Sequence, residues 1–218
     1  MFRLLIAIII SYLVGGIPTA LVTGKVFRGI DIRQHGSGNA GATNAFRVLG
    51  WKIALPVMLV DVLKGTFATL VISKLALGSV GWPATAVELA CGVAAVFGHI
   101  WTPYAGFRGG KGVGTALGVL IGLAPLAMLF AALVWLALVM FTGYVSVGSM
   151  LGAVSVPFFV ALAARLQHQP LDGVTLGATV FLAVLIVFTH RSNIRRLISG
   201  TENRFNTPFV KKRQAEAT

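Results

Sequence analysis

Long apolar blocks alternate along this chain with short polar stretches rich in glycine. A helix needs about 20 mostly apolar residues to cross the ~30 Å hydrocarbon core of a bilayer. Residues 4–23, 53–75, 84–100, 147–165 and 174–189 read as such spans. The first stays apolar past Leu13 to Val22 and lacks a small-residue cleavage pattern, so it reads as a retained span, not a removed leader. The block 113–142 is too long for one straight crossing and short for two. Pro125, with Gly122 just before it, is where a helix there would break.

Basic positions set the direction. Residues 24–52 carry Lys25, Arg28, Arg33, Arg47 and Lys52, and residues 101–112 carry Arg108 and Lys111. The tail after His190 carries Arg191, Arg195, Arg196, Arg204, Lys211, Lys212 and Arg213. The connections 76–83 and 166–173 hold none. The positive-inside rule places all three basic segments in the cytoplasm. Parity then requires an even number of crossings between Lys111 and His190, so 113–142 divides into 113–124 and 126–142. The pattern predicts a single all-α polytopic membrane domain over 1–218, with about seven transmembrane helices, the N-terminus outside and the C-terminus cytoplasmic. Five spans plus a re-entrant hairpin is the nearest alternative.

Composition agrees with a lipid solvent: 56% of residues are hydrophobic and 11% charged, against about 25% charged in soluble domains. The net charge of +12 lies between apolar runs, not on a soluble face, which excludes a nucleic-acid binder. It leaves loop charge and an anionic substrate, which are compatible. Cys91 stands alone within an apolar run, and the four histidines lack metal-ligand spacing, so neither a disulfide nor a metal site is expected.

Three polar segments fall on the predicted cytoplasmic side. The first is Gly36-Ser37-Gly38-Asn39-Ala40-Gly41-Ala42-Thr43-Asn44, with Arg47 beyond it. Glycines let a backbone approach a ligand closely, successive N–H groups can cradle an anion, and arginine offers a fork suited to phosphate. A plain flexible loop has the same composition. The second is Gly106-Phe107-Arg108-Gly109-Gly110-Lys111-Gly112-Val113-Gly114-Thr115. It fails the nucleotide P-loop pattern, because Gly112 follows the lysine and the flanks are apolar helices. A lysine among small residues at a helix start still fits phosphate. The third runs from His190 through Asn193, three residues on and on one helical face, to Glu202. Ser146 and Ser149 lie on the same predicted side, where either could also cap a helix. Gly114, Gly118 and Gly122 form a stripe suited to close helix packing. Asp61 and Lys64 share a face and fit equally a functional site or a self-neutralising pair.

Together, S-G-N-x-G-A-T-N-x-x-R, G-G-K-G-V-x-T and H-x-x-N-I-x-R-L-x-x-G-x-E, in that order, resemble the acyl-phosphate:glycerol-3-phosphate acyltransferase family of bacterial inner membranes. The likeness runs over about the whole chain, and Asp61 to Gly65 and Gly98-His99 share it. Gly114 stands where that family usually has alanine and Gly143 where many members have arginine. The resemblance implies a multi-pass inner-membrane enzyme of phospholipid biosynthesis with its site facing the cytoplasm. Glycerol 3-phosphate would be the acceptor, lipidic acyl-phosphate the donor, and lysophosphatidic acid the product, with no cofactor. It implies Ser37, Arg47, Lys111, His190 and Asn193 as catalytic. Gly38, Asn39, Thr43, Asn44, Gly109, Gly110, Gly112, Thr115, Ser146 and Ser149 would bind substrate. Ser37 and Lys111 would hold the donor phosphate; Arg47, Ser149, His190 and Asn193 would hold the acceptor, and Glu202 would be structural. Acyl-phosphate is a mixed anhydride with a good leaving group, so positioning and electrostatics can carry the reaction without a covalent intermediate. The base is either His190 or a phosphate oxygen of the acceptor. The rival classes are an organic-phosphate transporter and a scaffold without chemistry.

Overall fold

The structure is a computed structural model that describes residues 1–210; Lys211, Lys212 and Arg213 of the basic tail lie outside the described residues. The described chain is helical, with short 3₁₀ turns in its connections.

Helix α1 (Phe2–Gly16) ends at Gly15-Gly16-Ile17-Pro18 and α2 (Thr19–Arg28) resumes directly. Pro18 has no N–H and drives Ile17 out of the helical region, to φ −53° and ψ 115°. The block expected as one unbroken span is therefore a broken one. The carbonyls freed at the break find donors: Thr102 Oγ1 donates to Gly16 O at 2.5 Å and Lys64 Nζ to Ile17 O at 3.2 Å. Helix α3 (Ala42–Leu49) is short, and α4 (Trp51–Leu70) and α5 (Ala84–Ile100) follow. Helix α6 (Val113–Ile121) stops before Pro125, where α7 (Pro125–Thr142) starts. The break expected near Pro125 is present. At nine residues, α6 is about 14 Å long, roughly half the hydrocarbon core. Helices α8 (Val145–Leu166), α9 (Gly173–Thr189) and α10 (Arg191–Ile198) complete the described chain, α9 and α10 meeting at a 55° bend.

Among the described residues, five stretches are long and apolar enough to cross a membrane, or six if α9 and α10 count as one bent span. This is an all-helical integral membrane protein. The described helices pack as two compact units, one of residues 1–125 and 171–178, the other of residues 126–170 and 179–210.

In the first unit the helices approach through glycine. A Cβ on Gly15 would collide with Ala95, and one on Gly98 with the Tyr12 carbonyl, so α1 and α5 lie backbone to backbone. Helix α6 lies on α4 in the same way: Gly118 faces the Val62 carbonyl, Gly65 faces that of Thr115, and Thr66 Oγ1 donates to Gly118 O at 2.8 Å. The stripe read as a packing face is one. Leu4, Ala7, Ala68, Val87, Cys91 and Ala95 form one core cluster. Leu5, Ile9, Leu55, Leu59 and Leu63 are exposed on the protein surface, as lipid-facing side chains are. In the second unit, α8 sets Gly148 and Gly152 against Trp135 of α7, and the tail returns to α7 through Thr207 Oγ1, which donates to Met140 O at 2.6 Å.

Candidate functional site

The first polar loop is built, not loose. Asp31 accepts the Arg33 N–H at 2.9 Å and starts a short turn. The Arg33 guanidinium grips both Asp31 oxygens, with Nε at 3.1 and 3.2 Å and Nη2 at 2.7 Å. The hydrogen bonds from Arg33 hold the Asp31 carboxyl below its ordinary value. Asn44, 1% exposed, clamps the loop from behind. Its Oδ1 accepts the Ser37 N–H at 2.8 Å, and its Nδ2 donates to the carbonyls of Ile32 and His35, each at 3.0 Å. Asn44 was expected at the ligand; three backbone groups occupy it as the loop's internal strut. Gly41 caps α3, so the first-turn N–H groups of Ala42 and Thr43 point outward from a helix N-terminus. Thr43 and Arg47 are one turn apart on one face of that helix.

The second loop folds back on the end of α5. The N–H of Gly109 donates to Ile100 O and that of Gly110 to His99 O, each at 3.0 Å. The expectation that these glycines free their amides for an anion is therefore corrected, as it is for Gly38, whose N–H donates to His35 O at 3.1 Å. What Gly109 and Gly110 provide is closeness. A Cβ on Gly109 would strike the His99 carbonyl, and one on Gly110 the His99 ring. Lys111, half-buried, follows at once. Gly112, at φ +85°, turns the chain into α6 through a left-handed conformation that residues with a Cβ disfavour. Thr115, expected at substrate, is fully buried where α6 meets α4, because its position falls on the helix face that carries Gly118.

The two loops are joined. Arg33 Nη1 donates to Ala105 O at 2.9 Å, across 72 residues. One small pocket is lined by Ala40 from the first loop, Gly109 and Gly110 from the second, Thr19 beside the helix break, and His99 and Thr102. Beneath it lies a buried polar cluster. Asp61 Oδ1 is 2.8 Å from Lys64 Nζ and 3.5 Å from His99 Nδ1, and accepts from Thr19 Oγ1 at 3.4 Å. Sequence reasoning left Asp61 and Lys64 undecided, and the structure shows them paired. It passed over Arg33 and His99 as site residues, although the Gly98-His99 dipeptide and the Gly-Gly pair before Lys111 were visible signals.

The second unit has its own polar centre. Glu202 Oε1 accepts from Asn193 Nδ2 at 2.6 Å and from Ser146 Oγ at 3.0 Å, while Arg196 Nε donates to Oε2 at 2.7 Å. Burial pushes the Glu202 carboxyl up, but the donors Asn193, Arg196 and Ser146 outweigh it and hold the value below the ordinary one. Ser146 was expected to bind substrate; its hydroxyl donates to Glu202. Ser149 is buried and accepts from Trp135 Nε1 at 3.4 Å. His190, at the α9–α10 bend, is 3% exposed, with Nδ1 2.7 Å from Ile186 O. A carbonyl only accepts, so Nδ1 carries a proton. At Gly143 the side chain of Arg204 fills the space a Cβ would need, its Nε donating to Thr142 O at 2.8 Å. Among the described residues no group of His, Cys, Asp or Glu is arranged to hold a metal ion.

The profile of the glycerol-3-phosphate acyltransferase family matches residues 5–200. A glycerol-3-phosphate acyltransferase of Chlorobaculum tepidum is 45% identical over 94% of this chain and 98% of its own. One from Chlorobaculum parvum is 44% identical over 94% and 97%. The crystal structure of PlsY (YgiH), an integral membrane glycerol 3-phosphate acyltransferase, in its glycerol 3-phosphate form, superposes with a TM-score of 0.81. It has 37% identity and covers 93% of this chain and 96% of that one. Its lysophosphatidic acid form superposes with a TM-score of 0.80. The transporter and scaffold readings fall with these matches, and the chain belongs to the glycerol-3-phosphate acyltransferase family of integral membrane enzymes.

Proposed function

We propose that the enzyme transfers a fatty acyl group from acyl-phosphate to the 1-hydroxyl of glycerol 3-phosphate at the cytoplasmic face of a bacterial inner membrane. The acceptor oxygen attacks the acyl carbonyl carbon, the bond from that carbon to the phosphate oxygen breaks, and the hydroxyl proton leaves with a base. Lysophosphatidic acid and inorganic phosphate are the products. The observation that carries this reading is the joined pair of loops: they lead into the N-termini of α3 and α6, hold Ser37 and Lys111 in their sequences, and contribute Ala40, Gly109 and Gly110 to one small pocket. Helix N-termini favour anions, and a fixed cation stabilises charge that develops on a leaving phosphate. PlsY, the 37% identical relative, has been solved in glycerol 3-phosphate and lysophosphatidic acid forms, which supports the acceptor and the product.

In this reading Ser37, Thr43 and Lys111 serve the donor phosphate; Arg47, His190 and Asn193 serve the acceptor. Asn39, Gly112 and Ser149 are further substrate-binding residues. His190 is the base in this reading, its ring orientation fixed by the contact of Nδ1 with Ile186 O. The fold crosses the membrane seven times, with α6 as a short crossing, the N-terminus outside and the tail inside. Short crossings are accommodated by local thinning or by neighbouring helices.

Purified enzyme in detergent, given acyl-phosphate and glycerol 3-phosphate, is expected to form lysophosphatidate and release phosphate without ATP or acyl-CoA. Turnover only with acyl-CoA or acyl carrier protein would overturn the donor assignment. His190→Ala is expected to lose turnover with acceptor affinity kept; weakened affinity with turnover retained would make His190 a binding residue and leave an acceptor phosphate oxygen as the base.

A further inference from the structure

We propose that His99 is a positioning residue for the acyl transfer, fixing the height and direction of the segment that presents Lys111. The inference rests on the reading of Lys111 as a donor-phosphate ligand. Three observations meet on this one side chain. Its carbonyl accepts the Gly110 N–H at 3.0 Å, so the backbone before Lys111 is tied to His99 itself. Its ring lies directly against Gly110, close enough that no side chain fits between them. Its Nδ1 faces Asp61 Oδ1 at 3.5 Å, with Lys64 Nζ 2.8 Å from the same oxygen.

These contacts give the ring both a fixed place and a fixed orientation. His99 is 7% exposed and sits at the end of α5, where backbone and side chain reach the loop together. A carboxylate beside Nδ1 favours the tautomer with its proton there, turning the other ring edge toward Gly110 and the pocket. Asp61 is itself held by Lys64 and by Thr19 Oγ1, and Lys64 by the Ile17 carbonyl at the broken helix. The chain of contacts therefore runs from the α1–α2 break through Asp61 and His99 to Gly110 and Lys111. A positioning group of this kind acts on catalysis through geometry, and misplacing a ligand-holding segment by about 1 Å can lower kcat/KM by about a hundredfold.

The experiment compares His99→Ala, His99→Asn, Gly110→Ala, the His99→Ala/Gly110→Ala double variant and Lys111→Ala, with acyl-phosphate and glycerol 3-phosphate varied separately. His99→Ala is expected to raise the KM for acyl-phosphate about tenfold or more while that for glycerol 3-phosphate stays within about twofold. His99→Asn, which keeps an N–H donor toward Asp61, is expected to recover most of the loss. Gly110→Ala is expected to be impaired by its clash with the ring. The double variant, in which the ring is gone, is expected to be more active than Gly110→Ala alone. That last comparison stays informative if His99→Ala by itself folds poorly. A His99→Ala enzyme with unchanged donor KM, beside a Lys111→Ala enzyme that has lost donor binding, overturns the inference and leaves the Lys111 reading standing. So does an equal change in both KM values. Lys111→Ala with undiminished donor binding overturns the Lys111 reading, and the inference with it.

Discussion

Asp61 and Lys64 sit 4% and 5% exposed inside a helix that faces lipid on its other side. Each ion is tolerable there only because the other neutralises it. Removing one partner leaves a buried charge, so Asp61→Ala is expected to destabilise the protein by about 3–5 kcal/mol. Replacing both with apolar residues is expected to cost less than either single change. Thermal unfolding in detergent, followed as a double-mutant cycle, measures both. Glu202 makes a pH prediction. Its folded value lies below the ordinary 4.5, so the folded state binds the proton less readily than the unfolded one. The Glu202 cluster therefore contributes its full stability above that ordinary value and loses it as the pH falls through the lower folded value. Glu202→Gln is expected to flatten this acid limb and lower stability by about 1–3 kcal/mol, read from unfolding curves between pH 3 and pH 7, roughly the range over which a carboxylate titrates. The polar residue types at both centres were readable from the sequence, but their partners were not. Asn44 and Ser146 carry the same donors whether they face a ligand or a backbone, and only the fold shows that they face inward.

At the scale of elements, the glycines decide which helices can touch. Gly118 packs on the Val62 carbonyl, and a methyl group there has nowhere to go, since backbone cannot step aside as a side chain can. Gly118→Ala is expected to push α6 off α4, with an overpacking penalty of about 1–3 kcal/mol, visible as a lower unfolding temperature. Gly114→Ala is expected to cost less than Gly118→Ala, because a Cβ there meets the Asp61 Cβ at 3.3 Å and backbone only at 4.0 Å. The stripe was legible as a four-residue repeat. The break in the first span was legible too, in Gly15-Gly16-Ile17-Pro18, but apolar character on both sides masked it. Hydropathy measures solvent preference and is blind to a missing N–H.

For the whole molecule, the proposed seven-crossing topology makes a direct prediction. In a Cys91→Ser background, single cysteines at Gln34 and Ser199 are expected to react with an impermeant thiol reagent only from the cytoplasmic side. Cysteines at Ser79 and Gln169 are expected to react only from the other. Labelling of Gln34 and Gln169 from the same side would require a different number of crossings between them.

The sequence by itself determined that this is a helical membrane protein with three polar segments suited to anions. Apolar run length, charge asymmetry and glycine spacing are properties of the chain that any fold must respect. Tertiary structure alone decided what each polar group does. It turned the Gly109 and Gly110 amides back onto α5, set Asn44 behind the Ser37 loop, gathered Ser146, Asn193 and Arg196 on Glu202, and brought His99 beneath the lysine loop. Those outcomes depend on contacts between residues far apart in the chain. A buried donor takes the acceptor that the packing brings to it, and residue type alone does not specify which one that is.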